Sequence, residues 1–474
     1  MKIIVLAAGK SKRFKSNKHK ALHDLLGKTI LERILDCLWS LNPSQIHLVL
    51  GHQMDEIAGR LKRGETYVEQ KEQLGTADAL RVGLKGLSVT ADEDGGLLVT
   101  CADTPLLKAA TLNDLIQTVR QNDAQLGVLT AILEEPYGYG RVIRQGQQVR
   151  KIVEEKDASS AQKELKEINA GVYFINLPQL QLQELLSGIT NQNQQSEFYL
   201  TDLVERADSR GLKVVAHQVA DCAEIVGVNT KADLTQVIDL MSQKKIEDLQ
   251  DQGVMFINPA SCSVSPEVKI EPDAVIWPGC HLLGDISIGE GSQIGPNCFI
   301  LNSSIGRHCT VKYSCVTDSQ LADECSVGPF ANLRPGSQLM KGACVGDFVE
   351  LKNSVLGCNS KVPHLSYIGD SVLGKDVNIG AGSITANYDA ISGEKNQTKL
   401  GDSVKVGSNS VLVAPVQIAN GCMVAAGSVI TETVNVPNSL ILARTPQTVK
   451  EGWVNIKRKE LNPEKSLEEL MESS

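Results

Sequence analysis

Short, unbroken apolar runs punctuate the first half of the chain: Ile3-Ile4-Val5-Leu6, Ile46-His47-Leu48-Val49-Leu50, Gly96-Leu97-Leu98-Val99-Thr100 and Gly127-Val128-Leu129-Thr130-Ala131. Runs this short, without polar alternation, predict strands covered on both faces. Between them lie stretches of helical spacing such as Ile30-Leu31-Glu32-Arg33-Ile34-Leu35-Asp36-Cys37-Leu38. Strands separated by helices imply crossovers, so residues 1–228 are expected to form an α/β domain with a mostly parallel sheet. A polar, helix-prone stretch, Lys231 to Gln252, predicts a helical connector over 229–252.

From about Val254 the period changes. An aliphatic residue returns every six positions at Val264, Ile270, Ile276, Leu282, Ile288, Ile294 and Ile300, and after a one-residue slip at Ile305 and Val311. Glycine often follows it, as in Ile294-Gly295, Ile368-Gly369 and Val406-Gly407. A period of six fits neither a helix nor a flat strand. It is the signature of a parallel β-helix, in which each short strand sends one aliphatic inward before a corner. Three hexads to a coil predict roughly ten coils over 253–436, stacked about 4.8 Å apart. Residues 385–399, Thr-Ala-Asn-Tyr-Asp-Ala-Ile-Ser-Gly-Glu-Lys-Asn-Gln-Thr-Lys, carry no hexad aliphatic and read as an extruded loop, where a solenoid tends to hold function. A charged tail, 437–474, ends the chain.

Composition narrows the classes. The chain has 474 residues, 42% hydrophobic and 22% charged, enough to bury real cores. Net charge is −9, which argues against non-specific nucleic-acid binding, and no run is long enough for a membrane span or a signal-peptide core. None of the twelve cysteines forms a CxxC pair. Reduced thiols in a cytoplasm are expected, with the nine cysteines after residue 260 acting as core filler.

Candidate chemistry begins where the first strand ends. From Met1 to His23 there are seven Lys or Arg and no acid, including Arg13 and Lys20 around Ala7-Ala8-Gly9. In an acidic chain this local excess fits an anionic ligand at the carboxyl end of a strand, with small residues letting backbone amides approach phosphates. The plainer alternative is a solvated basic loop. Gln70 and Gln73-Leu74-Gly75-Thr76-Ala77 form a polar turn able to read a base edge. Asp103, just past a buried strand, is either a Mg²⁺ ligand or a helix cap. In the solenoid, His364 combines a repeat setting with cationic and phenolic neighbours, which suits a general base, although most lone histidines are structural.

Taken in order, Leu6-Ala-Ala-Gly9, Arg13, Lys20, Gln70 with Gln73-Leu-Gly-Thr76, Asp103, Gly138-Tyr-Gly-Arg141, Ile152-Val-Glu-Glu-Lys-Asp157, Glu167-Ile-Asn169 and Gly227-Val-Asn229 resemble the sugar-phosphate nucleotidyltransferases. With the hexapeptide half, the chain resembles the bacterial bifunctional UDP-N-acetylglucosamine pyrophosphorylase/glucosamine-1-phosphate N-acetyltransferase family over nearly its whole length. The resemblance implies a Rossmann-like domain followed by a left-handed β-helix. It implies acetyl-CoA-dependent N-acetylation of glucosamine 1-phosphate, then uridylyl transfer from UTP with pyrophosphate released, serving envelope polymers.

It also implies roles. Ala7, Ala8, Gly9, Arg13, Lys20, Gln70, Gly75 and Thr76 would contact UTP, and Asp103 and Asn229 would bind Mg²⁺. Gly140, Glu154 and Asn169 would hold N-acetylglucosamine 1-phosphate. His364 would be the acetyl-transfer base, with Arg334 and Lys352 on the phosphate and Tyr367, Asn378 and Lys395 on the sugar. Asn387 and Tyr388 would position the acetyl group, and Ser408, Ala426 and Arg444 would line the coenzyme A site. The ending from Arg444 to Trp453 would pack on a neighbouring subunit of a homotrimer. Departures from the family pattern are Ser11-Lys12 for Gly-Thr, His19 for Pro and Ala102 for Gly. Two competing readings remain: a nucleotidyltransferase whose β-helix only assembles or regulates, and a non-enzymatic assembly subunit.

Overall fold

The computed structural model describes residues 1–9, 11–87, 95–464 and 466. Lys10 of the basic loop and the end of the charged tail, 467–474, lie outside the described residues. Two compact units emerge, Met1–Ser287 with Phe299–Asn302, and Ile288–Cys298 with Ser303–Ser474.

The first unit is organised by a nine-stranded sheet: β1 (Lys2–Ala7), β2 (Gln45–Leu50), β3 (Thr66–Glu69), β4 (Leu97–Cys101), β5 (Leu126–Ile132), β6 (Arg141–Gln145), β7 (Gln148–Val153), β8 (Glu167–Ile175) and β9 (Val214–Gln218). The main path runs β9-β5-β8-β4-β1-β2-β3. All four apolar runs of the first half become its strands, and each core-facing position along β1 is buried because helices cover both faces. The pairings β1/β2, β1/β4, β2/β3 and β5/β9 are parallel. The sheet is mixed rather than uniformly parallel, because β8 leaves the β6–β7 hairpin and runs antiparallel to β4 and β5.

Helix α1 (Ile30–Trp39) opens with a capping box in which Thr29 and Glu32 satisfy each other's backbone donors. Then come α2 (Thr76–Lys85), α3 (Ala109–Gln121), α4 (Asp202–Ser209) and α5 (Lys231–Asp251). The last has a second capping box, from Thr230 and Asp233, and buries Val237, Met241, Ile246 and Leu249. Its Ser242 hydroxyl accepts from the Val264 amide at 2.9 Å, on the strand Ser263–Val264. Arg33 on α1 is almost fully buried. It donates to the carbonyls of Leu25 and Leu26 at 3.0 and 2.7 Å and to the Glu267 carboxylate at 2.7 Å.

In the second unit the six-residue period becomes three faces, each receiving every third strand. One face stacks Gln293–Ile294, Thr310–Val311, Ser326–Val327, Cys344–Asp347 and Lys361–His364. The next stacks Cys315–Thr317, Asn332–Leu333, Glu350–Lys352 and Tyr367–Gly369. The third stacks Ser304–Ile305, Gln320–Leu321, Gln338–Leu339 and Val355–Leu356. Every ladder is parallel and in register, and the hexad aliphatics Ile294, Ile305, Val311, Leu333 and Leu351 are buried. The cysteines are thiols rather than disulfides, and Cys298, Cys309, Cys325 and Cys422 are buried in the prism interior. Among the described residues the tail forms one helix, Trp453–Leu461.

Substituting Arg33 with Met removes a donor from the Leu25 carbonyl, from the Leu26 carbonyl, which keeps the Ser265 hydroxyl at 2.8 Å, and from Glu267, which keeps the Lys28 ammonium at 3.0 Å. The unfolding free energy is expected to fall by roughly 1–3 kcal/mol in urea titrations. A loss below about 0.5 kcal/mol, the size of an exposed ion pair, contradicts this.

Candidate active sites in the two units

At the carboxyl ends of β1 and β4 the first unit has a cavity of about 500 Å³. Ala7, Ala8, Gly9, Lys20, Gln70, Gly75, Thr76 and Asp103 all line it. The Lys20 ammonium bonds the Asp103 carboxylate at 2.8 Å and the Asn229 side-chain oxygen at 3.2 Å, and Arg13 donates to the same Asn229 oxygen at 3.1 Å. Asp103 is therefore not a helix cap: α3 begins six residues later, with Lys108 at its cap position. The Val228 amide bonds the Asp103 carbonyl at 2.7 Å, which fixes the Asn229 segment beside the strand end.

The Gln70 amide, itself buried, donates to Asp78 at 2.8 Å, an orientation set by the first turn of α2. Gly75 caps that helix at φ +122°, and an added Cβ would lie 2.5 Å from the Phe198 carbonyl oxygen, so only glycine fits. Further along, the Asn169 amide bonds the Gly140 carbonyl at 2.9 Å, and its side chain donates to the Tyr173 hydroxyl at 2.8 Å. Glu154 accepts from Thr201 at 3.0 Å, and burial pushes its carboxyl above the usual range. Gly140, Glu154 and Asn169 thus form one polar group.

Two departures from the family pattern have structural consequences. Ser11 sits at φ +50°, a region that favours glycine, and its hydroxyl is buried without a partner among the described residues. His19 is buried, accepts from the Ala21 amide through Nδ1 at 3.2 Å and meets the Gly9 carbonyl through Nε2 at 3.1 Å. An accepting Nδ1 and a donating Nε2 define a neutral ring, and burial lowers its pKa. His19 ties the glycine loop to the turn that presents Lys20.

In the second unit, register assembles the other set. Leu333 pairs with Leu351 and Lys352 with Gly369, so Arg334, Lys352 and Gly369 follow one another on successive coils. Arg334 bonds Glu350 at 2.8 Å. Lys352 has its pKa lowered chiefly by the neighbouring Lys395 ammonium, with Arg334 adding to the effect. Lys395 returns on the extruded loop, bridged to Tyr388, and the Asn396 amide closes the loop base on the Asn387 carbonyl at 2.7 Å. Asn387 in turn donates to Asp370. Asn378 stands instead on the face of Lys361, between Lys361 and Lys405. Ser408 accepts from the Gly427 amide at 2.8 Å and Ala426 from Arg444 at 3.2 Å, so these three form a ladder on later coils.

The structure adds one contact that the linear sequence gives no reason to notice. The Asp347 carboxylate lies 2.5 Å from Nδ1 of His364, one coil away. The signal that finds it is the coil length: Asp347 and His364 are seventeen residues apart and face each other in register.

Residues 3–167 match the MobA-like NTP transferase domain, and residues 267–302 and 397–432 match the bacterial transferase hexapeptide repeats. "Bifunctional protein GlmU" of Nostoc sp. (strain PCC 7120) is 42% identical over 454 residues, covering 95% of this chain and 98% of the relative. The chain belongs to the GlmU family. "Bifunctional protein GlmU" of Heliobacterium modesticaldum is 41% identical, over 96% of this chain and 98% of its own length. A crystal structure of UDP-glucose pyrophosphorylase complexed with UDP-glucose overlays half the chain at 14% identity and a TM-score of 0.41, too distant to add to the argument.

As a GlmU-family protein the chain is a bifunctional enzyme, with glucosamine-1-phosphate N-acetyltransferase and N-acetylglucosamine-1-phosphate uridylyltransferase activities. Nucleotidyl transfer in this family needs a divalent metal. Asp103 and Asn229 fit such an ion: both offer hard oxygen donors, and both oxygens converge on one point, presently held by the Lys20 ammonium. No helix among the described residues is long and apolar enough to cross a membrane.

Because the His19 pKa is lowered in the folded state, the unfolded chain takes up its proton first. The stability His19 contributes is present above its ordinary pKa of about 6.5 and is lost as pH falls below it. The drop in Tm between about pH 7.5 and 5.5 is expected to be smaller in His19→Gln than in the parent protein. An equal drop in both excludes this role.

Proposed function

We propose that the first unit performs uridylyl transfer in the cavity holding Lys20 and Asp103, and that the second performs acetyl transfer around His364. Each unit's cations are gathered at one place, Arg13 and Lys20 in the first and Arg334, Lys352 and Lys395 in the second, and this carries the reading. Two phosphorylated substrates need two such places.

In the first, the phosphate oxygen of N-acetylglucosamine 1-phosphate attacks the α-phosphorus of UTP and pyrophosphate leaves, so no protein nucleophile is needed. Gln70, Gly75 and Thr76 hold the base, and Ala7, Ala8 and Gly9 give the triphosphate its close backbone approach. Gly140, Glu154 and Asn169 orient the sugar. Arg13 and Lys20 offset the charge that builds on the phosphates, and alignment supplies much of the remainder. Asp103 and Asn229 would hold Mg²⁺, which supplies further neutralisation of phosphate charge.

In the second, His364 accepts a proton from the amine of glucosamine 1-phosphate as it attacks the acetyl-CoA thioester. Arg334 and Lys352 clamp the phosphate; Tyr367, Asn378 and Lys395 hold the sugar; Asn387 and Tyr388 position the acetyl group; Ser408, Ala426 and Arg444 line the coenzyme A path. Beside His364 runs an exposed ladder of Tyr313, Phe330, Phe348 and Leu365, with the last three more than half exposed. So large an apolar strip supports burial against further copies of the chain, and a homotrimer completes the site. Free thiols and substrates of this class support a cytoplasmic enzyme feeding envelope polymers.

The decisive assay gives purified protein UTP, acetyl-CoA, Mg²⁺ and glucosamine 1-phosphate, with products identified by mass. UDP-N-acetylglucosamine is expected. His364→Ala should lower coenzyme A release by at least about 100-fold and leave pyrophosphate release from supplied N-acetylglucosamine 1-phosphate within about twofold. Asp103→Asn should do the reverse, by a comparable factor. A folded variant that loses both activities equally refutes the division into two sites.

A further inference from the structure

His364 lies at the end of the strand Lys361–His364, where the chain turns a corner of the prism. A surface histidine on such a corner would ordinarily sample several rotamers and either neutral tautomer. Here the preceding coil intervenes. Asp347 is the residue in register with His364, and its carboxylate meets Nδ1 at 2.5 Å. A second tie fixes the same corner: the Leu365 amide donates to the Asp347 carbonyl at 3.0 Å. The imidazole is therefore held from both its side chain and the backbone that follows it.

We propose that Asp347 is the positioning residue of acetyl transfer: by accepting the Nδ1 proton of His364, it leaves Nε2 as the basic nitrogen and fixes the ring plane. The inference rests on the reading of His364 as the base. Which ring nitrogen carries the proton is set by the bond the other nitrogen makes, and a carboxylate accepts only from N–H. The hydrogen bond also holds the Asp347 carboxyl below its usual pKa, so the group is anionic under assay conditions.

The proton then has a defined route. The amine nitrogen forms its bond to the thioester carbonyl carbon, the C–S bond breaks, and the amine proton passes to Nε2. The imidazolium so formed lies against the Asp347 carboxylate, which keeps its negative charge throughout. The ring returns the proton to the departing thiolate, giving the amide and coenzyme A thiol with the enzyme unchanged. Asp347 touches neither substrate and acts through His364.

Two variants and a spectroscopic signature test this. In Asp347→Ala, kcat for coenzyme A release should fall roughly 10- to 100-fold while the KM for glucosamine 1-phosphate stays within about twofold. Asp347→Asn, which keeps an acceptor oxygen without the charge, should recover part of that loss. In ¹⁵N spectra, His364 should be Nδ1-protonated in the parent protein and a mixture of tautomers in Asp347→Ala. Pyrophosphate release in the same preparations reports folded protein, and if Asp347→Ala does not fold, the near-isosteric Asp347→Asn and the parent spectrum decide. An unchanged kcat, or an Nε2-protonated ring in the parent, overturns the proposal. The base reading fails separately: His364→Ala that still acetylates removes it, whereas an inactive His364→Ala beside a fully active Asp347→Ala removes only the positioning role.

Discussion

Everything in the second unit follows from coil-to-coil register. Successive residues along the coils direct their backbone N–H and C=O groups alternately to the coil before and the coil after, and a slip of one residue would turn every inward aliphatic outward. The apolar interior therefore locks the register, and the register dictates which surface residues become neighbours. Arg334 stands next to Lys352 and Asp347 next to His364 because Leu333, Leu351, Val345 and Val362 are buried where they are. Chemistry is placed by the packing of residues that take no part in it.

The first unit solves its placement differently. Parallel strands β1 and β4 end side by side, and their loops diverge to leave a cleft at their carboxyl ends. What must be held there is the backbone around Gly9. His19 does this through two hydrogen bonds from a neutral ring, and Asp103 and Asn229 hold Lys20. Ser11 departs from local preference, with a left-handed backbone and a buried hydroxyl that has no partner among the described residues. Such departures gather where binding, rather than stability, sets the conformation.

These two solutions differ in how legible they are. The apolar runs and the helix Ile30–Trp39 could be read directly, since burial on both faces leaves an unmistakable pattern, and the six-residue period announced the solenoid. The reversal of β8 could not be read, because strand direction depends on the β6–β7 hairpin before it and not on the composition of Glu167–Ile175. Asp103 was legible as a residue at a strand end but not as a partner of Lys20, eighty-three positions away. Asp347 was hidden by a different cause. The hexad period is carried by aliphatics, and an acid at a corner belongs to no motif until the coil length pairs it with His364.

The two cation clusters also stand in different electrostatic states before any substrate arrives. Lys20 is paired with the Asp103 carboxylate and the Asn229 amide oxygen, so on the proposed reading an incoming phosphate would displace or share an existing partner. At the second cluster Lys352 stands near Lys395, whose ammonium lowers its pKa, while Arg334 close by is paired with Glu350 at 2.8 Å. On the proposed reading a doubly charged phosphate would offset the like charges of Lys352 and Lys395. Water and salt screen these exposed groups, which keeps the repulsion small enough for the coils to stack and leaves the cluster responsive to an anion of the right charge.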